Sequence, residues 1–191
     1  MHSAIIRTFF AIELPFEVQA NIMKIMEQMK SRAPKTIKWV SRENLHITLK
    51  FLGAFNPEHV DLLRINLQQE LNNFQPFNII LDRFGFYPNS LNPRVIWVGI
   101  HHSEEVSNLV QIIEKTTSSL GYPKETRTFH AHITLGRIKY SIGRNEIESI
   151  NNYLIENKLQ QIQFLISEVI FFQSDLRSSG PEYQRLISIS L

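Results

Sequence analysis

The tetrapeptide His-Ile-Thr-Leu occurs twice in this chain of 191 residues, at His46–Leu49 and at His132–Leu135. The two histidines are separated by 132 − 46 = 86 residues, close to half the chain. From the 7 His, 8 Thr and 19 Leu of the chain, roughly 0.03 His-x-Thr-Leu matches are expected by chance. Both copies sit in strand-like surroundings and precede a glycine, Gly53 and Gly136. Self-similarity at this spacing points to an ancient duplication, and so to a fold of two related halves. Successive strand side chains alternate faces, so His46 and Thr48 share one face while Ile47 and Leu49 take the other. The same holds for His132 and Thr134 against Ile133 and Leu135. A pseudo-two-fold axis between the halves would let the two His-Thr faces meet across a cleft.

The rest of the pattern is α+β. Ile5–Leu14 is β-branched and aromatic, ends at Pro15, and reads as a buried strand. Val18, Ile22, Ile25, Met26 and Met29 have helical spacing within Phe16–Met29, and Pro34 breaks that helix. Short strands follow at Lys38–Val40 and Leu45–Phe51. Asn56 as N-cap and Pro57 at the first position open a helix through Val60, Leu63, Leu67 and Leu71. Strands are expected from Pro76 to Leu81 and from Arg94 to Ile100, and a helix from Ser103 to about Leu120, stopped by Gly121. Phe129–Leu135 reads as a strand, Asn145–Tyr153 as a short helix, and Gln161–Phe172 and Tyr183–Ile189 as strands joined by a turn at 178–181. Without a linker, low-complexity tract or charge block, residues 1–191 read as a single compact α+β domain.

Composition narrows the chemistry. The absence of cysteine excludes disulfides, thiolate nucleophiles and cysteine-ligated zinc. No apolar stretch is long enough to span a bilayer, and the N-terminal run is interrupted by Arg7 and Glu13, so a cytoplasmic protein without a membrane partner is expected. A net charge of +2 permits a nucleic-acid partner without requiring one. No glycine-rich phosphate loop or dinucleotide fingerprint is present, which argues against cofactor-dependent redox or NTP-driven work.

Opening a cyclic phosphodiester needs a base for the attacking water, an acid for the departing ribose oxygen, and donors for the non-bridging oxygens. In-line displacement places acid and base on opposite sides of phosphorus. Two imidazoles from opposite lobes suit that layout, because an unperturbed imidazole titrates near pH 6.5. The hydroxyls of Thr48 and Thr134 supply donors. The scheme uses no metal and no cofactor.

These residues resemble the two-histidine (2H) phosphoesterase superfamily, and within it the RNA 2′,3′-cyclic phosphodiesterases of the LigT/ThpR type. The resemblance runs through Arg7–Pro15, Glu43–Gly53, Phe129 with His132–Arg137, and Ser174 with Gly180-Pro181-Glu182-Tyr183. It implies a bilobal, duplicated α+β fold, with two antiparallel sheets around a central cleft and helices outside. It also implies that His46 protonates the leaving 3′ oxygen and His132 activates water, giving a 2′-phosphate. The same chemistry run backwards would join RNA through a 2′,5′ bond. RNA 3′ ends or cyclic nucleotides are the implied substrates, and a monomer the expected state.

One departure is Ala131 where the family usually has proline, with His130 before it. His130 shares the face of His132 by the period of two, and would either enter the cleft or lie at a solvent-exposed strand edge. Among supporting residues, Arg137 is a candidate phosphate ligand, Phe9 or Phe10 a base-stacking ring, and Asn44 a residue that orients the first motif or simply turns the chain. His59, His101 and His102 read as solvated, and Trp39 and Trp97 as core. Three rivals stand beside this reading. A metal hydrolase would use His130, His132 and His46, but no His-Glu-x-x-His motif or acidic cluster accompanies them. A non-catalytic module would hold an RNA end or nucleotide. A related enzyme would act on 2′,5′-oligoadenylate or ADP-ribose cyclic phosphate.

Overall fold

The computed structural model describes residues 4–31, 37–140, 143–156, 162–178 and 180–191. The expected break at Pro34 and the Ser179 of the last turn lie outside them. The chain runs β1 (Ile6–Glu13), α1 (Phe16–Lys30), β2 (Ile37–Trp39), β3 (His46–Phe55), α2 (Val60–Leu71), β4 (Phe77–Tyr87), β5 (Val95–Ile100), α3 (Glu104–Ser119), β6 (His132–Ile138), α4 (Arg144–Glu156), β7 (Gln163–Ile166), β8 (Glu168–Leu176) and β9 (Pro181–Ser190).

Local chemistry sets the helix ends. The Ser103 hydroxyl accepts from the Val106 amide and caps α3, satisfying one of the amides a helix start leaves unpaired. At the far end Gly121 takes φ +87°, a conformation costly for any residue with a Cβ. Asn56 accepts from the Glu58 amide, as expected, but what it caps is a 3₁₀ turn at Pro57–His59 that leads into α2.

All strand pairings are antiparallel, in the order β7-β4-β5-β6-β3-β1-β8-β9, with β2 also beside β6. Outward from the centre the order is symmetric: β3 answers β6, β1 answers β5, β8 answers β4, and β9 answers β7. The outer strands are exchanged between halves of the chain. β4 follows α2 yet pairs with β5, and β8 follows α4 yet pairs with β1. The two expected sheets are joined at the middle by the pair Ile47↔Ile133, forming one continuous curled path.

The helices cover one face of this sheet. Val18, Ile22, Met26 and Met29 of α1, Leu63, Leu67 and Leu71 of α2, and Val106, Leu109 and Ile113 of α3 pack with Ile47, Leu49, Ile133 and Leu135 in one buried cluster. Each such side chain contributes about 1.5–3 kcal/mol by leaving water. The motif isoleucines and leucines thus anchor both active strands to the core, and leave the opposite sheet face to the histidines.

Several boundaries differ from expectation. Phe129–Ala131 precede β6 rather than forming part of it. Gly53 and Gly136 lie inside β3 and β6 rather than ending them. Of the expected strand Gln161–Phe172, Gln161 lies outside the described residues and the rest holds two strands, broken at Ser167, whose carbonyl accepts from the Leu191 amide.

Candidate active site

The pairing Ile47↔Ile133 fixes the relation between the two motifs. Continued one residue each way, an antiparallel register sets His46 opposite Thr134 and Thr48 opposite His132. The two histidines then lie on one face, on either side of that pair. Each of the two strands contributes one imidazole and one hydroxyl.

Irregular pairing adds further residues to this face. In the second lobe Trp97 pairs with Thr134 but Ile96 with Gly136, so Leu135 is the extra residue of a bulge in β6. β5 itself alternates regularly, which puts Val95, Trp97 and Gly99 on one face together with His132, Thr134 and Arg137. In the first lobe Ala11 pairs with Thr48 and Phe10 with Lys50, an equivalent bulge in β3. Arg7, Phe9, Ala11 and Glu13 of β1 therefore share a face with His46, Thr48 and Phe51.

The ring of His46 is fixed on several sides. Its Nδ1 donates to the Asn44 carbonyl oxygen at 2.8 Å, so in the neutral ring Nε2 is the acceptor. The Thr48 hydroxyl, 3.0 Å away, donates to Nε2. Phe9 lies against the ring at a centroid distance of 5.1 Å, and Tyr183 meets it edge-on at 5.4 Å. This enclosure costs the imidazolium its hydration. Burial is the main cause that lowers the His46 pKa to about 4; the Asn44 carbonyl opposes it, and the positive charges of Arg137 and His132 add to the lowering. Both charges therefore lie within electrostatic reach of His46.

His132 repeats the arrangement. Its Nδ1 donates to the His130 carbonyl oxygen at 2.7 Å. The Trp97 ring stands 6.2 Å away, nearly edge-on. Each imidazole is thus held from behind by a carbonyl two residues upstream, with Nε2 as its working atom. Fixing one ring nitrogen in this way selects the tautomer.

The weaker expectations divide. Arg137 is exposed on the histidine face, and its charge reaches both His46 and Tyr183. Asn44 orients His46 through its backbone oxygen, while its side chain donates to the Pro181 carbonyl at 3.0 Å and ties the first motif to β9. Both contacts are made within the protein. Phe9 is 1% exposed, so the expectation that it stacks a base is corrected. It supports His46 and Phe51 from below, with its ring 5.4 Å from Phe51. Phe10 packs against Phe171 in the main core. The open ring on this face is Phe51, 50% exposed.

Trp97, expected in the core, lines the histidine face. His59, expected to be solvated, is partly buried and hydrogen-bonded through Nδ1 to the Tyr122 hydroxyl at 2.8 Å. His101 and His102 are exposed. His130 is exposed too, and because β6 begins at His132 the period-two argument does not extend back to it. Its carbonyl is what serves the site. Among the described residues no three His, Asp or Glu side chains converge as a metal would require.

A cavity of about 330 Å³ opens beside His46, lined by Glu13, Glu43, Asn44, Tyr183 and Arg185 among others. Burial raises the pKa of the Tyr183 phenol, while Arg137 and Arg7 oppose that rise. Sequence reasoning had placed Phe51 and Tyr183 only within resembling segments. The signal for Phe51 was its position five residues after His46, as Arg137 is five after His132.

Known proteins align with this geometry. The model of the LigT like phosphoesterase family matches twice, over residues 12–97 and 98–183. The matches are offset by 98 − 12 = 86 residues, as the histidines are. A Methanocaldococcus jannaschii protein named RNA 2′,3′-cyclic phosphodiesterase is 35% identical over 180 residues, spanning 93% of this chain and 96% of its own. A Thermotoga maritima protein of the same name is 30% identical, spanning 94% and 92%. The crystal structure of Escherichia coli LigT complexed with 3′-AMP superimposes with a TM-score of 0.77 at 24% identity, covering 98% of this chain and 99% of that one. Matched by the same family model in both of its halves, this chain belongs to the LigT-like phosphoesterases.

Proposed function

We propose that this protein is an RNA 2′,3′-cyclic phosphodiesterase that opens the terminal ring to a 2′-phosphate. The observation that carries the reading is the twofold arrangement of imidazoles, each with Nδ1 tied to a carbonyl and Nε2 left to act. The phosphorus sits between the two rings. His132 Nε2 takes a proton from water as the new P–O bond forms. His46 Nε2–H gives a proton to the 3′ oxygen as the P–O3′ bond breaks. Thr48 and Thr134 donate to the non-bridging oxygens, and Arg137 adds a guanidinium fork. The leaving oxygen takes the place at His46 Nε2 that the Thr48 hydroxyl holds in the free site.

In the free site His46 is neutral at pH 7, since its pKa lies near 4. Its acid role therefore depends on the substrate. A phosphate anion placed against the ring favours the imidazolium and raises that pKa. With a 5′-hydroxyl in place of water, the same steps would form a 2′,5′ linkage. All the groups in this scheme come from one chain, so we read the enzyme as a monomer, acting in the cytoplasm.

The test is turnover of adenosine 2′,3′-cyclic phosphate by purified protein in excess chelator, with the product identified by ³¹P NMR. The expected product is the 2′-phosphate. No turnover, or turnover abolished by chelator, overturns the proposal. A panel including 2′,5′-oligoadenylate and ADP-ribose 1″,2″-cyclic phosphate decides the substrate within the family.

A further inference from the structure

Charges of both signs surround the site. The cavity beside His46 is lined by Glu13, Glu43 and Glu182, with Arg185 as its one cation. Arg185 is itself engaged by Glu13 and by Glu168. Three further cations, Arg7, Lys38 and Arg137, are exposed around the site. Lys38 pairs with Arg137 across β2 and β6, which puts both side chains on the same face. The Lys38 ammonium also reaches the β8–β9 turn, where its Nζ is 3.8 Å from the Cβ position of Gly180. Arg7 lies on the cleft face of β1, two residues before Phe9. Arg7 and Arg137 both act on the Tyr183 phenol. Among the described residues none of these three cations has a carboxylate within ion-pair distance.

Cations left unpaired, beside an exposed ring at Phe51, are the combination that binds single-stranded nucleic acid, with charges for the backbone and a ring for a base. An RNA end enters this cleft with one strand trailing from it, on the 5′ side of the cyclised ribose. That strand is a polyanion. It is attracted to the unpaired charges of Arg7 and Lys38.

We propose that Arg7 and Lys38 form a phosphodiester-binding rim, continuous with Arg137, that receives the RNA backbone upstream of the cyclic phosphate. The natural substrate is then an oligonucleotide end rather than a free cyclic mononucleotide. This rests on the reading of the site as an RNA cyclic phosphodiesterase, and deepens it.

The test compares adenosine 2′,3′-cyclic phosphate with a triadenylate bearing the same end, on the wild type and on the double variant Arg7→Gln/Lys38→Gln. The wild type is expected to show a KM about tenfold lower for the trinucleotide, lost in the variant, with mononucleotide kcat and KM unchanged. The salt dependence of log KM for the trinucleotide should flatten by roughly 0.7 for each cation removed, the single-strand counterion value. Lys38→Glu should weaken the trinucleotide more than Lys38→Gln. Equal KM values in the wild type, or an undiminished trinucleotide advantage in the variant, overturn the rim. Anisotropy of a labelled triadenylate 2′-phosphate reads the same contacts without turnover. Cation-dependent binding by a protein that hydrolyses neither substrate would sustain the rim while overturning the proposed reaction.

Discussion

Phe51 and Arg137 occupy equivalent places in the two lobes, each five residues beyond its histidine and each brought onto the cleft face by a bulge in its strand. The duplicated site is therefore not symmetric. One lobe ends in an aromatic ring, the other in a guanidinium, so the proposed substrate should lie with its base toward Phe51. Stacking on one ring is worth about 1–3 kcal/mol. Phe51→Ala should raise KM for adenosine 2′,3′-cyclic phosphate about tenfold, and should affect a base-free ribose cyclic phosphate far less. Equal losses on both substrates would show that Phe51 serves packing alone.

His46→Ala and His132→Ala should each reduce turnover at least about a hundredfold, the usual share of a general acid or base. Neither side chain belongs to the helix-packed core, so either variant should keep its cooperative melting transition. Near-normal rates in a folded variant would remove that residue from the mechanism.

Acid pH should expose the enclosure of His46. Its pKa falls from 6.5 to about 4 on folding, so between those values the unfolded chain binds more protons than the native one. Stability must then rise with pH across that window. The contribution is fully present above pH 6.5 and is lost as pH falls toward 4, by an amount on the order of 3 kcal/mol. His46→Gln should flatten this part of the stability–pH curve. Histidine NMR titration should find the ring neutral at pH 6 in the free enzyme. Arg137→Ala, or added phosphate, should move its titration upward, because the first removes a nearby positive charge and the second adds a negative one. A titration near 6.5 in the free enzyme would contradict the enclosure.

The four motif residues were legible because strand alternation is local and the motif is repeated. Arg137 was legible only as a residue type. Strict alternation from His132 would turn it away from the cleft, and it is the bulge at Leu135 that restores it. Phe9 and Phe51 were not separable from sequence, because the depth of Phe9 depends on Phe172 and Tyr183, which come from the far end of the chain. The same holds for the exchanged strands β4 and β8: their hydrophobic pattern gives a strand but not its neighbour. His130 is exposed, one of the two places expected for it, and the strand begins three residues later than expected. What His132 needs there is a carbonyl, and any residue supplies one.

Lys50 should matter for stability. Its side chain is 1% exposed and pairs with Glu114 at 2.5 Å. It also donates to the Pro123 carbonyl at 3.0 Å, linking β3 to α3 and to the segment that leads into His132. Removing one partner of a buried pair leaves the other charged without compensation, at a cost of about 3–5 kcal/mol. Glu114→Ala should lower the urea midpoint accordingly. Replacing both residues, Lys50→Met/Glu114→Leu, should recover most of the loss. A Glu114→Ala variant as stable as the wild type would show that the Lys50 ammonium is satisfied by Pro123 and water.

Trp97 owes its place over the second lobe to two small neighbours. A Cβ at Gly85 would come within 2.5 Å of Cη2 and 2.6 Å of Cε2 of the Trp97 ring, and one at Gly99 within 2.9 Å of Cζ3. Neither glycine has a positive φ, so what they provide is room and not backbone freedom. The indole lies over both glycines, with its ring centroid 6.2 Å from that of His132. Gly85→Ala must displace a rigid ring, and overpacking of this kind costs about 1–3 kcal/mol. The displaced indole should shift its fluorescence, loosen the wall beside His132, and lower kcat/KM while leaving the His46 titration in place. Gly99→Ala, with its longer contact, should do the same to a smaller degree. Unchanged fluorescence and melting temperature in Gly85→Ala would mean that Trp97 moves freely, and would leave His132 without the wall described for it.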